Sequence, residues 1–156
     1  MRHKEFTDDT ARLKKLIKDA FCSLNPPSFF ENCNSIEDFQ RVFGEDYFLA
    51  LWSDIYHYEI EEVKYVVSFA MEYYILNYSK NADSDVLLEL FVNQLIGFDF
   101  EDQTIRGRYI EIYNSFNSIQ SNSICEFLIF IKKYDLGYFE SFTDKGIEFW
   151  NDRINS

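Results

Sequence analysis

The sequence predicts an all-α fold, a single domain over residues 1–156 built as an irregular bundle of six to eight helices. Three observations carry this. The stretch Val63–Leu76 reads VKYVVSFAMEYYIL, and its polar residues Lys64, Ser68 and Glu72 fall four apart. A helix with one narrow polar stripe is buried around most of its circumference, so residues 59–78 are the expected central helix. Glycine and proline number only 5 and 2, too few for the turns of an all-β fold. Apolar residues elsewhere recur at helical rather than alternating spacing.

The first helix is expected from Thr7 or Asp8 to Phe21, capped by Asp8 or Asp9. Its apolar face is Leu13, Leu16, Ile17, Ala20 and Phe21. Lys14, Lys15 and Lys18 lie mostly off that face, and His3 falls in a frayed terminus. Asn25-Pro26-Pro27 stops the helix, since proline disfavours helical geometry in the residue before it. Ser35-Ile36-Glu37-Asp38 opens a short helix carrying Phe39, Val42 and Phe43. Residues 46–52 add a turn or two with Trp52 buried. Glu59, Glu61 and Glu62 suit the positive end of the central helix. A further helix uses Val86, Leu87, Leu90, Phe91, Leu95 and Ile96 and ends at Gly97. Arg108–Asn114 fits a helical turn and an extended segment equally. Ser121 or Ser123 caps a helix over Ile124–Lys133. Residues 135–142 read as a loop, and Asp144–Arg153 as a short helix that seats Ile147 and Trp150.

No stretch supplies the roughly 20 apolar residues of a membrane span. Met1–Lys18 is charged and lacks the apolar core of a secretory signal. Three cysteines, Cys22, Cys33 and Cys125, have no ligand spacing and read as reduced thiols. Together these features point to a cytoplasmic protein.

Charge is unevenly placed. Residues 1–18 hold six bases and three acids, residues 19–105 three bases and seventeen acids, and residues 106–156 six bases and seven acids. The chain's net charge of −12 therefore belongs to its middle. Clustered bases are what phosphate contacts need, so direct nucleic-acid binding is disfavoured and a basic partner is favoured. Two acid runs contain no base. One, from Val42 to Val63, holds Asp54, Glu59, Glu61 and Glu62 beside Tyr56 and Tyr58. The other, from Asn81 to Ile105, holds Asp99, Glu101 and Asp102 beside Phe98 and Phe100. Carboxylates steer a basic partner, and aromatics anchor it once water is excluded. The expected partner-binding set is Asp54, Tyr56, Tyr58, Glu59, Glu61, Glu62, Asp99, Glu101 and Asp102. The competing reading is a solvated helix face whose acids serve the helix dipole.

There is no phosphate loop, nucleophile elbow, zinc spacing or Cys–His–acid pattern. No cofactor, metal or catalytic residue is expected. Two rivals to a binding module are open. One is a small enzyme in which His57 works with Asp54 or Glu59 as general base. The other is an acidic mimic of nucleic acid that blocks a DNA-binding protein.

The order of landmarks adds a resemblance. They are Ala20-Phe21, Trp52-Ser53-Asp54-Ile55, Ser68-Phe69 with Tyr73-Tyr74-Ile75-Leu76, Phe116 with Ile119, a Ser-capped helix with Phe127-Leu128, and Phe149-Trp150. This series, covering most of the chain, resembles a group of small all-helical bacterial proteins, with Asn77 where a prolyl turn is expected. In size, acidity and helical aromatic core the chain is also similar to immunity proteins of bacterial contact-dependent growth inhibition systems. That resemblance implies a protein that binds a cognate toxin domain, often a basic nuclease, and blocks its active site.

Overall fold

The computed structural model describes residues 2–25, 38, 41, 58–79, 95, 103–134 and 140–155. Five helices stand among the described residues, with no strand: α1 Arg2–Phe21, α2 Ile60–Ser79, α3 Gln103–Asn114, α4 Ser118–Tyr134 and α5 Glu140–Ile154. The helices expected near 35–43, 46–52 and 84–97 lie outside the described residues, save Asp38, Arg41 and Leu95. Asp38 and Arg41 are helical and form an ion pair of 2.9 Å. α4 packs against both α5 and α1, and α1 packs against α2.

α1 begins at Arg2, ahead of the expected cap, so Asp8 and Asp9 are interior helical residues and His3 is an exposed helical one. Partners far along the chain explain the extension. Phe6 stacks on Phe130 and Tyr134, with ring centroids 5.7 and 5.0 Å away. Lys133 donates to Glu5 at 2.6 Å and Asp9 at 2.8 Å, and the Tyr134 hydroxyl donates to Asp9 at 2.6 Å. Tertiary contacts thus supply what the polar sequence Thr7-Asp8-Asp9 does not. Leu13, Ile17, Ala20 and Phe21 are buried as the periodicity predicts.

α2 runs within one residue of its expected bounds. Val63, Val66, Val67, Phe69, Ala70, Met71, Tyr73, Tyr74 and Ile75 are all buried. Ser68 and Glu72 lie on a half-covered stripe as expected, whereas Lys64 is buried and Tyr65 joins the stripe in its place. Lys64 reaches Glu61 at 3.3 Å and sits 5.8 Å above the Phe116 ring, so its stem packs while its ammonium keeps a carboxylate partner.

α3 is helical through Arg108–Asn114, where the sequence left two conformations open. Ile112 and Tyr113 are buried. The chain then turns, Ser115 N–H and Phe116 N–H returning to the carbonyls of Ile112 and Tyr113. Asn117 caps α4, in place of Ser121 or Ser123. Its Oδ1 accepts from Gln120 N–H at 2.8 Å, and its own N–H donates to Gln120 Oε1 at 3.1 Å. This reciprocal pair satisfies two groups of the first turn, as a capping box does. Ser121 and Ser123 are buried inside the helix, and the Ser123 hydroxyl donates to the Gln120 carbonyl at 2.7 Å.

α5 starts at Glu140, inside the stretch expected as loop, and seats Trp150 with no exposed surface. Trp150 lies 5.0 Å from Tyr113 and 5.4 Å from Phe116. Phe116 also meets Phe21 at 6.2 Å. One turn residue therefore joins rings from α1, α3 and α5, each ring pair adding about 1 kcal/mol beyond its burial.

Candidate acidic interface at the α2 N-terminus

The described part of the predicted interface is Tyr58, Glu59, Glu61 and Glu62, where the chain enters α2. Asp54, Tyr56, Asp99, Glu101, Asp102 and His57 lie outside the described residues. Glu59 is the N-cap position: its carbonyl accepts from Val63 N–H at 2.9 Å, and its N–H donates to Glu62 Oε1 at 3.1 Å. A helix begins with backbone donors that lack partners, and the Glu62 carboxylate reaches back to satisfy one in the flanking residue.

The acids at this corner have different work. Glu62 is half-buried and serves the cap. Glu61 is exposed but is the carboxylate partner of the buried Lys64. Glu59 is exposed, and among the described residues its carboxylate makes no hydrogen bond or ion pair. Tyr58, expected as an exposed anchor, is half-buried against the core. Its carbonyl accepts from Arg108 Nη2 at 2.9 Å, and the same guanidinium reaches Glu111 at 3.3 Å.

The corner therefore contains bases that the linear acid run lacks. Arg108 comes from α3, fifty positions along the chain, and no local signal could have announced it. Its guanidinium fixes the entry to α2 and dilutes the negative field there. Glu59 and the exposed oxygens of Glu61 are left as the groups that face solvent. The arrangement can attract a cationic surface.

Elsewhere, Cys22 is exposed and Cys125 buried, both as free thiols. Burial, followed by the charge of Glu126, pushes the Cys125 thiol up, so it is held as a protonated packing residue. Among the described residues no three His, Cys, Asp or Glu side chains converge to hold a metal ion, and no helix is long and apolar enough to cross a membrane. A comparison with known families, curated proteins and solved structures finds no match to this chain.

Proposed function

We propose that this chain is an immunity protein of the contact-dependent inhibition type, a cytoplasmic inhibitor that binds a cognate toxin domain carrying a basic, nuclease-like surface. The observation that carries the reading is the placement of charge: seventeen acids against three bases within residues 19–105. Such a field raises the rate of encounter with a cationic partner, and aromatic anchors then slow its departure. The binding face is the α2 entry, Tyr58, Glu59, Glu61 and Glu62, extended by Asp54, Tyr56, Asp99, Glu101 and Asp102. The proposed architecture is one domain of six to eight helices around residues 59–78.

Glu59 gives the cleanest test. Reversing Glu62 removes a capping contact, and reversing Glu61 places a second cation beside buried Lys64. Glu59→Lys replaces a dipole-favouring charge with a dipole-opposing one, at a cost of about 0.6–2 kcal/mol. With a cognate toxin domain as ligand, Glu59→Lys should slow association about tenfold at low salt, with the effect shrinking as salt rises. Association at the parental rate would remove the α2 entry from the interface.

A further inference from the structure

We propose that the outward face of α4 pairs with the same face on a second copy of this chain, the two helices running antiparallel. The pairing does not rest on a toxin partner. Among the described residues the exposed large apolar side chains are Ile119, 61% exposed, and Ile129, 40% exposed, and both lie on α4. Half-buried Asn122 and Glu126 stand between them. The four positions follow steps of three, four and three, the spacing of a seam between two packed helices. Their seam is about 15 Å long. Phe130, which meets Phe6 of α1, and Cys125, which meets Ile147 of α5, border it from opposite sides. α1 and α5 therefore flank the seam and leave its face to solvent.

Charge selects a second copy as the occupant. Chains of net charge −12 repel one another, so two copies approach most easily where charge is lowest. Residues 112–125 hold no charged side chain, and the first half of α4 falls in this stretch. Centres of protein interfaces are depleted of charge in the same way. One register suits both helices. Ile119 of each copy meets Ile129 of the other, and the two-fold axis makes that contact twice. Asn122 then faces Glu126, with its amide as donor to the carboxylate. Arg12 already reaches Glu126 Oε2 at 3.5 Å, and a carboxylate has acceptor capacity for both. Moving the register half a heptad either way sets Ile119 against Lys133 or against Glu126. Lys133 is committed to Glu5 and Asp9, so neither alternative gains a partner.

The full chain is followed by sedimentation equilibrium up to about 1 mM, at low and at high sodium chloride. Four side chains per copy make a small contact, so the dimer should dissociate at a constant on the order of 0.1 mM. Salt should tighten it by screening the repulsion between copies. Ile119→Lys and Ile129→Glu should each hold the chain monomeric. An equimolar mixture of the two should form a heterodimer, because the new cation and the new anion then meet. Asn122→Asp sets a carboxylate against Glu126 and should weaken the dimer about tenfold. Should an isoleucine variant fail to fold, Asn122→Asp decides, and an unchanged constant overturns the pairing. A parent chain that stays monomeric at the highest concentration in high salt overturns it as well. So does a dimer that tightens as salt falls, a dimer that survives either isoleucine substitution, or a mixture that stays monomeric.

Discussion

Asp9 shows how one side chain ties distant parts of the chain. Hydrogen bonds from Lys133 and then Tyr134 hold its carboxyl below the usual range. A lowered folded-state pKa contributes stability that is present above the unfolded value and lost as pH falls through the folded one. Lys133 is shifted up by the same contacts, so it stays charged across this window. Asp9→Asn should therefore lower the melting temperature at neutral pH, and the gap to the parent should close below about pH 4. A gap that persists to about pH 2 in thermal scans would mean that the charge is irrelevant. Trp150 is the second such residue. Its Nε1–H donates to the Leu95 carbonyl at 3.1 Å in a site with no exposure. Trp150→Phe leaves that carbonyl without its donor and should cost about 1–3 kcal/mol in urea unfolding. A cost under about 0.5 kcal/mol would mean that another donor replaces the indole. The burial of Trp150 is legible in the sequence, because a large aromatic sits on a helical apolar face. Its partner Leu95 is not, being fifty-five positions away.

At the scale of the element, legibility follows how local the cause is. The α2 core and the Leu13–Ile17–Ala20–Phe21 face of α1 follow from periodicity, which is a property of neighbours in sequence. The start of α1 does not, because Glu5, Phe6 and Asp9 find their partners on α4. The α4 cap lies ahead of the expected Ser121 or Ser123 because Asn117-x-x-Gln120 is an equally good capping pair and comes first in the chain. Of the predicted interface, the acids at the α2 entry were legible as dipole-favouring residues, while Arg108 and the burial of Lys64 needed the tertiary fold. α3 carries a further test. Gly107 is exposed in mid-helix, and a methyl group there would meet no atom within 4 Å. Alanine removes the entropy that glycine loses on helix formation, so Gly107→Ala should stabilise the chain by about 0.5–1 kcal/mol. A destabilised variant in denaturant titration would show that α3 needs glycine at this position.

Across the molecule, the described helices bury their apolar faces in a single cluster that includes residues of all five. A shared core couples them, so unfolding should be one cooperative event. Far-UV circular dichroism, reporting helices, and near-UV circular dichroism, reporting ring packing, should melt together. Two separated transitions would divide the core into independent units. The global charge acts on a different scale from these contacts. It sets solubility and the rate of encounter, and it leaves the fold to packing.

The contact between α1 and α4 has a consequence during synthesis. α1 leaves the ribosome before α4, and Lys133 and Tyr134, which hold its first half, lie 124 to 128 positions later. At ordinary elongation rates that interval lasts on the order of ten seconds. Throughout it the nascent chain displays Phe6 without the Phe130 and Tyr134 rings that cover it. The newborn protein therefore depends on whatever shields an apolar helix at the tunnel exit, and slowing translation lengthens that dependence.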